Sequence, residues 1–352
     1  MRRALLVILL SGSLALNIVS AKPVAVFVPR FEGPGALSLN VSTILSLYIW
    51  TTLRMSPTPN PKKETFGSGI VRWSADPLPD PSIESAVDAA RGTHSEMVLW
   101  GFVQDYGPGV IVQAFLTIPT PVVESNASNG AWIVKIDNAN IVLGLPNSQY
   151  DFSALVLSKD IIKKYSRPRE IRVCQKKQIP CSGPPLSEKL FRAIQQEGSW
   201  ALVEQERNVR GWVYLPDLST TRSEIVEFSA GLMAYFRRDW VLADFYFARV
   251  ADSKINGPLR FYARILAGIS KARAGLDGIA EIERALDSNP YSQYAAHALL
   301  LAYVTAIQSK QSAVSQDILV EKGKRLIDEY EHLFKSSDDW LGPIRKYLAT
   351  VK

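Results

Sequence analysis

The chain has 352 residues, of which 47% are hydrophobic and 21% are charged. This balance is ordinary for a folded globular protein and excludes disorder over most of the length. The formal net charge is +6, and the Lys and Arg residues are scattered rather than gathered into a basic stripe, so composition argues against nucleic-acid binding.

Residues 1–21 predict a secretory signal peptide. Two arginines precede a short apolar run over residues 4–10, and Val19 and Ala21 stand at the minus-three and minus-one positions of the expected cut. The run is too short to cross a bilayer permanently, so we expect no membrane-spanning segment after cleavage behind Ala21. Removal of the two arginines lowers the formal charge to +4. We expect the mature protein in the periplasm or secreted beyond it.

Residues 22–120 predict a small α/β domain. Continuous apolar runs predict buried strands, and segments with apolar residues at helical spacing separate them. Ser82 is suited to cap the second helix, and the Tyr-Gly-Pro-Gly run at residues 106–109 favours a hairpin. The predicted order β-α-β-α-β-β gives a mixed sheet with both helices on one face. The strands are expected at residues 24–29, 69–73, 96–104 and 110–118, and the helices at residues 38–53 and 82–91.

This stretch resembles the N-terminal α/β domain of the periplasmic Tol-system propeller protein and of related envelope proteins. The resemblance rests on the strand at residues 24–29, the Ala-Ala-Arg-Gly run at residues 89–92 and the Val-Leu-Trp-Gly-Phe-Val run at residues 98–103. It covers about ninety residues. The resemblance implies a domain of an envelope protein.

Residues 121–168 carry weaker signals. A hairpin is expected from residues 132–136 and 141–145, and a helix from residues 153–165. We interpret the stretch as an extension of the first domain followed by a connector.

Residues 169–219 predict a different unit, a small β-barrel. Short β runs lie close together between turn residues, which is typical of such barrels. Two runs, Gly-Ser-Trp-Ala-Leu-Val at residues 198–203 and Arg-Gly-Trp-Val-Tyr-Leu at residues 210–215, resemble the bacterial Src-homology-3-like domain. In that family, a Gly-x-Trp strand and a later Gly-Trp-Val strand build the barrel core. The β runs are expected at residues 171–173, 190–195, 201–204 and 211–214.

Cys174 and Cys181 are the two cysteines of the chain, and they lie close together in a protein bound for an oxidising compartment. We predict a disulfide that stabilises the fold by about 2–3 kcal/mol, with a reduced pair, one or both buried, as the alternative. No His lies nearby, and two thiolates alone leave a tetrahedral ion half-coordinated. A metal site is therefore not expected.

Residues 221–352 predict helices throughout. Helix-length apolar patterns recur, and Pro258 and Pro290, 32 residues apart, each follow a second helix. A period near 34 residues indicates tetratricopeptide-type repeats, in which helix pairs bury their apolar faces by stacking on their neighbours. The helices are expected at residues 223–237, 240–251, 259–274, 279–287, 291–308 and 315–334, with a short tail from residue 340.

The resemblance to tetratricopeptide repeats covers two clear repeats, a third partial repeat and a capping helix. The first repeat is about three residues longer than the family pattern and the second about two residues shorter. In the third repeat, the second helix departs from the pattern. The signature positions are occupied by Gly231, Trp240, Ala243, Phe247 and Pro258, then by Gly268, Gly275, Ala285, Leu286 and Pro290, then by Leu299 and Tyr303.

The repeat resemblance implies a concave groove, lined by the first helix of each pair, that binds a peptide or a partner helix. The implied lining is apolar and aromatic with one cation, which suits a hydrophobic segment better than an acidic tail. The alternative, that these residues only pack against neighbouring helices, stays open. The groove residues are Phe228, Leu232, Tyr235, Tyr262, Ile265, Ile269, Arg273, Tyr294, His297 and Leu301.

The predicted barrel offers three large aromatic residues, Trp200, Trp212 and Tyr214. Such side chains give a ligand much contact area at little entropic cost. In so small a core, however, burial of the two tryptophans is favoured over a binding role. Tyr214 is two residues from Trp212 and is therefore expected on the same side of its strand.

No catalytic constellation is found in the sequence. The three histidines, His94, His297 and His332, are widely separated, and no nucleophile elbow, zinc-protease helix or Walker loop occurs. The Gly-Pro-Gly run at residues 33–35 follows a strand, but Pro34 lacks the amide proton that a phosphate loop uses, so a plain turn is expected. We therefore expect no enzyme activity, no cofactor, no metal and no nucleic-acid partner.

Taken together, the export signal, the repeats and the missing catalytic residues favour a non-catalytic periplasmic adaptor or scaffold of the bacterial cell envelope. Its partner is expected to be an envelope protein or peptide. The alternative is a peptidoglycan-binding protein that acts through the barrel. Src-homology-3-like domains often accompany cell-wall enzymes, and aromatic grooves suit sugars and stem peptides.

Overall fold

A computed structural model defines the fold. It describes residues 24–54, 69–119, 130–164, 172–185, 191–197, 200–205, 209–214, 224–254, 257–310, 312, 314–331 and 341–351. The predicted signal peptide, residues 1–21, and His332 lie outside these ranges.

The described residues form eleven strands and ten helices. The strands are β1 (Val24–Arg30), β2 (Gly69–Pro77), β3 (Met97–Tyr106), β4 (Gly109–Thr117), β5 (Trp132–Ile136), β6 (Ala139–Leu143), β7 (Gln149–Asp151), β8 (Leu155–Ser158), β9 (Phe191–Glu197), β10 (Trp200–Gln205) and β11 (Arg210–Tyr214). The helices are α1 (Gly35–Arg54), α2 (Ile83–Gly92), α3 (Lys159–Lys164), α4 (Glu224–Phe236), α5 (Trp240–Ala251), α6 (Pro258–Arg273), α7 (Ile279–Ser288), α8 (Gln293–Ser309), α9 (Gln316–Tyr330) and α10 (Leu341–Thr350).

The N-terminal part is built on a mixed sheet with the strand order β2-β1-β3-β4-β7, and β8 also pairs with β4. Strand β1 is parallel to β2 and β3, whereas β4 is antiparallel to β3, β7 and β8. The predicted order of the first six elements is confirmed. Ser82 caps α2 by accepting a hydrogen bond from the amide of Ser85 at 3.3 Å.

The two helices of this part cover opposite faces of the sheet, so the prediction that both lie on one face is wrong. Val26 and Val28 of β1 belong to the same buried cluster as α1, while Phe27 belongs with Trp100 to a second cluster that includes α2. Successive residues of a strand point to opposite faces. The continuous apolar run of β1 therefore needs cover on both sides.

The stretch interpreted as a connector supplies four strands. Strands β5 and β6 form a hairpin, and β7 and β8 extend the mixed sheet. The helix predicted over residues 153–165 is wrong in its first half, because β8 occupies Leu155–Ser158 and only α3 is helical. Leu157 is buried and Val156 is exposed. This alternation is the pattern of an edge strand, which pairs with β4 where β7 ends.

The second β unit is a three-stranded antiparallel sheet with the order β11-β10-β9. The run predicted as a strand at residues 171–173 makes only single bridges, from Arg172 to Pro185 and from Cys174 to Trp212. The predicted disulfide is present. Cys174 and Cys181 are bonded to each other, with Cα atoms 5.5 Å apart.

Helices α4 to α10 form the C-terminal array, as the apolar periodicity predicts. Gly231 of α4 lets α5 approach closely, because a Cβ there would lie 2.7 Å from the ring of Phe247. One continuous hydrophobic cluster runs from β1 through the small sheet to α10. The array is also tied to α1, since the Tyr246 hydroxyl donates to the Thr52 carbonyl at 2.5 Å. Among the described residues, no helix combines the length and apolarity that a membrane crossing requires.

Candidate functional site

The ten residues predicted to line a groove all lie on the first helices of the pairs, α4, α6 and α8, and form one wall of the array, here called the inner wall. They are not a free surface. Seven of the ten are buried, and the other three are half-buried. The buried members are Phe228, Leu232, Tyr235, Ile265, Ile269, His297 and Leu301, and the half-buried members are Tyr262, Arg273 and Tyr294.

The chain itself covers the inner wall. Residues 130–152, here called the covering segment, carry β5, β6 and β7 across it. The ring of Tyr150 packs 4.8 Å from that of Phe228 and 5.7 Å from that of Tyr262. The ring of Phe152 adds an edge contact with Phe228 at 6.0 Å. The apolar residues that the covering segment buries are Trp132, Val134, Ile136, Ile141, Leu143, Leu145, Tyr150 and Phe152.

Polar contacts fix the covering segment in place. The Tyr294 hydroxyl donates to the Gly144 carbonyl at 2.7 Å. The amide of Gln308 donates to the Lys135 carbonyl at 2.8 Å. These two backbone carbonyls face away from the β5–β6 pairing, and side chains of the array donate the hydrogen bonds that they accept.

Arg273, the single cation of the predicted groove, anchors the start of the covering segment. Its guanidinium lies 3.7 Å from the ring centroid of Trp240 and donates to the Gly130 carbonyl and to the Tyr235 hydroxyl, each at 3.3 Å. Gly130 has a φ of +99°, and a Cβ there would lie 2.9 Å from the Phe236 ring. Position 130 therefore needs glycine, both for its conformation and for the close approach.

Three buried tyrosines of the wall and the covering segment, Tyr150, Tyr235 and Tyr294, are held neutral. Burial raises the pKa of Tyr235, although the neighbouring Arg273 lowers it in part. Burial also raises the pKa of Tyr150 and that of Tyr294. Neutral phenols in this setting serve as hydrogen-bond donors and packing groups. The prediction of an open groove is therefore wrong, because the long-range covering segment fills it.

His297, one of the predicted groove residues, is buried on α8 within the inner wall. Across the described ranges, no three His, Cys, Asp or Glu side chains come together as a metal site requires. The carboxylates Glu281 and Glu283 serve in ion pairs, with Lys271 at 3.2 Å and Lys322 at 2.9 Å respectively.

The small sheet presents the second candidate surface. The register pairs Trp200 with Tyr214 and Leu202 with Trp212, so these four side chains share one face, here called the aromatic face. The opposite face, with Ala201, Val203 and Val213, is buried in the main core.

The prediction that both tryptophans are buried is wrong. Trp200 and Trp212 are half-buried, and Tyr214 is 45% exposed. The small residues Ala201 and Gly211 occupy the inward positions instead, and at Gly211 the neighbouring Val173 and Cys174 lie too close to admit a side chain. Tyr214 does lie on the same side as Trp212, as predicted. The rings of Trp200 and Tyr214 meet edge to face at 5.3 Å.

The disulfide loop, residues 174–181, borders the aromatic face. Cys174 and Trp212 exchange two backbone hydrogen bonds of 2.7 Å, so the loop continues the sheet beside β11. Lys177 places its ammonium 4.1 Å from the ring centroid of Trp212. A Cβ at Gly211 would lie 2.3 Å from a methyl of Val173, so glycine permits this close docking. Sequence analysis missed the role of Lys177, because nothing in local spacing placed it over a ring 35 positions away.

Two further cavities lie in the described part. One, of about 500 Å³, lies between α4 and the segment that precedes β8. In its lining, Arg249 is bonded to Glu227 at 2.7 Å and Ser253 is bonded to Glu224 at 2.5 Å. The other, of about 340 Å³, surrounds Tyr303. Two of its carboxylates, Glu283 and Glu329, are paired with Lys322 and Arg325 respectively.

The disulfide also bears on location. Disulfides persist in oxidising compartments, so the Cys174–Cys181 bond indicates a place outside the cytoplasm. No protein-family model, curated protein or solved structure matches the chain. The arguments on function therefore rest on the residues and their geometry.

Proposed function

We propose that this protein is a non-catalytic binding protein of the bacterial cell envelope, exported to the periplasm by residues 1–21 and cleaved after Ala21. The disulfide and the basic, short apolar pattern of the N-terminus support this location. The ligand surface is the aromatic face, and the ligand is peptidoglycan. The helical array acts as a scaffold that carries this surface.

One observation carries the proposal: of the two predicted surfaces, only the aromatic face is open. The inner wall is covered by residues 130–152, whereas Tyr214 is 45% exposed and Trp200 and Trp212 are half-buried. Exposed, rigid aromatic rings beside a polar rim are typical of surfaces that bind other molecules.

The finer domain assignments belong to the same proposal. A Src-homology-3-like origin of the small sheet is supported by the Gly-Trp-Val run of β11, which pairs with the Trp200 strand. A tetratricopeptide-like origin of the array is supported by two close helix approaches. A Cβ at Gly231 would lie 2.7 Å from Phe247, and one at Gly268 would lie 2.5 Å from Ile282. The resemblance of the first domain to the Tol-type N-terminal domain also supports a location in the cell envelope.

Co-sedimentation of the mature protein with purified peptidoglycan sacculi tests the proposal. Trp200→Ala and Tyr214→Ala are expected to lower the retained fraction about fivefold or more, because hot-spot aromatics dominate binding energy. Tyr291→Ala is the matched control, since Tyr291 is 80% exposed and lies on the array. Equal retention of Tyr214→Ala and Tyr291→Ala would contradict the proposal, provided that circular dichroism shows both variants to be folded.

A second candidate function, the protein adaptor, is supported by a different surface. Beyond the cover of α2, the outer face of β3, β4 and β8 exposes Phe102, Tyr106 and Val156. Their registers place them on one side of the sheet. A photo-crosslinker at position 156 tests this candidate in intact cells. The adaptor predicts a discrete product with one envelope protein that is lost in Phe102→Ser, and a crosslinker at position 291 should not give that product.

A further inference from the structure

Helix α2 covers only half of the outer face of the mixed sheet. Strand β3 has 10 residues and spans about 33 Å, whereas α2 has 10 residues and spans about 15 Å. The covered half holds Trp100, which is buried with Ala86 and Ala90 of α2. The other half, here called the open half, consists of Phe102, Gln104, Tyr106, Ile111, Gln113 and Val156, which the strand registers place on one side.

The open half is uncharged and exposes aromatic rings. Phe102, Tyr106 and Val156 are 39%, 61% and 63% exposed. The ring of Phe102 meets that of Phe115 at 6.1 Å, and Phe115 stacks on Trp100 at 4.8 Å. One aromatic cluster therefore begins beneath α2 and continues to the surface, which is typical of a face that a partner covers.

Carboxylates border the open half. Glu32 is bridged to Phe102, and Asp151 is in register with Phe115. The end of β2 pairs with the end of β1, so α2 begins at this border and carries Glu84 in its first turn. The five exposed acidic residues of the border are Glu32, Asp76, Asp80, Glu84 and Asp151.

Most cations of this region are bound to other groups or lie on other elements. Lys159 pairs with Asp105 at 2.7 Å, and Arg91 pairs with Asp88 at 3.4 Å. Helix α3, which carries Lys159 and two further lysines, contacts α1 on the opposite side of the sheet. These cations therefore do not neutralise the border.

The remaining charges leave the border acidic. Arg72 donates to the Thr93 carbonyl at the far end of α2. Strand β9, which contacts β2, carries Arg192 and Glu197, one charge of each sign. Among the described residues of the mixed sheet and α2, the half-buried Arg30 is the remaining cation against five border carboxylates. This border is thus acidic in a chain whose formal net charge is +6.

The dimensions of the open half fit one helix. Side chains of three neighbouring strands cover a width of about 10 Å, which is close to the diameter of a helix. The length left beyond α2 is about 18 Å, or roughly three helical turns. A helix docked there would complete the layer that α2 begins, because sheet faces are commonly buried under helices.

We propose that the open half docks an amphipathic helix of a partner protein, with basic residues beside the apolar face of that helix. Charge complementarity selects this occupant. A second copy of the chain would bring the same acidic border against itself, and an anionic lipid surface would be repelled as well. This inference rests on the adaptor candidate and names the chemistry of its partner.

Binding of two synthetic helical peptides, each about three turns long, tests the proposal. Both carry leucines at helical spacing, flanked by lysines in the basic peptide and by glutamates in the acidic one. By fluorescence anisotropy, the mature protein should bind the basic peptide about tenfold more tightly, and added salt should reduce this ratio. Equal binding of the two peptides would overturn the proposal.

Variants separate the apolar contact from the acidic border. Val156→Ser and Phe102→Ser should each weaken binding of the basic peptide about fivefold or more. Ile318→Ser, at a site 51% exposed on α9, is the matched control and should bind normally.

The double variant Glu32→Gln/Glu84→Gln should lose the preference for the basic peptide. Asp317→Asn/Glu321→Gln removes the same charge from exposed positions on α9 and should keep it. Loss of the preference in both double variants would overturn the assignment of the border.

Crosslinking separates this inference from the adaptor candidate. A photo-crosslinker at position 156 in intact cells should attach to a basic, helical segment of one envelope protein, as mapped by mass spectrometry. If the attached segment is acidic or extended, the adaptor candidate stands and the inference is overturned. If no product forms and neither peptide binds, both are overturned.

Two further measurements address the other occupants. A dimer in sedimentation that Val156→Ser dissociates would overturn the proposal in favour of a second copy. Binding to phosphatidylglycerol vesicles that Val156→Ser abolishes would overturn it in favour of a membrane.

Discussion

The inner wall and the aromatic face carry similar side chains but differ in exposure, because the first is covered and the second is open. The register of the predicted repeats indicates the first region, on helices, and three aromatic residues of the predicted barrel indicate the second, on strands. The wall is closed by residues 130–152, while the rings of the small sheet remain at the surface. An aromatic pattern therefore indicates a surface that needs a partner, and the partner can be another part of the same chain.

The difference also separates two roles of a cation beside aromatic rings. Arg273 lies against Trp240 and donates to Gly130, so it holds the covering segment to the array. Lys177 lies over Trp212 on an exposed loop that borders the aromatic face. The first cation fixes one segment of the chain to another, and the second lies at the border of a surface that the chain leaves open. Four predictions test how sharply the two regions differ.

The largest effect is expected from Phe228→Ala in the inner wall. Phe228 is fully buried, and its ring contacts those of Tyr150 and Phe152. Its truncation should lower the free energy of unfolding by about 3–5 kcal/mol, because a cavity is added to the lost apolar burial. Urea denaturation of the mature protein measures this change. Phe245→Ala, at a site 36% exposed on α5, should cost less than about 1 kcal/mol, and equal costs would show that the wall is not closed.

The next effect concerns the anchor of the covering segment. Arg273→Gln removes the cation from Trp240 and the hydrogen bond to the Gly130 carbonyl, and should cost about 2 kcal/mol. Amide exchange of β5 and β6 should accelerate more than that of β10 and β11, because only the former lie in the segment that Arg273 holds. Arg284→Gln, at an exposed site on α7, should leave both rates unchanged. A uniform acceleration would mean that Arg273 supports the whole fold rather than this contact.

Alkaline pH should lower the free energy of unfolding through the buried tyrosines of the inner wall and the covering segment. Burial raises the pKa of Tyr150, Tyr235 and Tyr294 in the folded state above the value of about 10 in the unfolded chain. Their neutral forms therefore stabilise the fold fully below about pH 10, and this contribution is lost as the pH rises above that value. Tyr294→Phe should cost about 1 kcal/mol at neutral pH through the lost bond to Gly144, and should show a shallower alkaline loss.

Denaturation curves between pH 8 and pH 11, a range chosen about the reference tyrosine pKa, measure the alkaline effect. Tyr214→Phe should keep the full alkaline loss of the unmodified protein, because Tyr214 lies on the exposed face. If Tyr294→Phe and Tyr214→Phe respond alike, the loss does not arise in the wall.

The smallest effect on stability is expected at the aromatic face. Tyr214→Ala should cost less than about 1 kcal/mol, since its ring is 45% exposed and contacts only the edge of Trp200 among the rings of the described sheet. Thermal unfolding measures this cost, with Tyr291→Ala as the matched surface control. A loss as large as that of Phe228→Ala would place Tyr214 in the core and remove the contrast between the two regions.

Much of the fold follows from local patterns. The apolar period predicted α5 at its observed ends, and the other helices of the array within a few residues. The same reasoning failed at β8, because a short alternating run beside a helix-forming sequence carries too little periodic signal. It also failed for the placement of α1 and α2 on the sheet, since strand alternation alone does not say which helix covers which face.

The sequence predicts the candidate site less completely than it predicts the helices and strands that carry the site. The pattern of Trp132, Val134 and Ile136, followed by Ile141 and Leu143, has one apolar face that needed cover. That signal indicates that the hairpin packs against something, but it does not say that its partner is the inner wall. The outward position of Trp200 and Trp212 had no such signal, because their strands alternate with small residues that are equally suited to either face.

The sequence alone determined most of the helices and strands, which residues carry aromatic and cationic chemistry, and that two nearby cysteines are suited to form a disulfide. These properties depend on side-chain chemistry and on neighbours within a few positions. Only the tertiary structure decided that the inner wall is filled and that the aromatic face is open. Exposure is set by segments more than seventy positions apart, such as Tyr150 on Phe228, and by the large burial free energy that such long-range contacts supply.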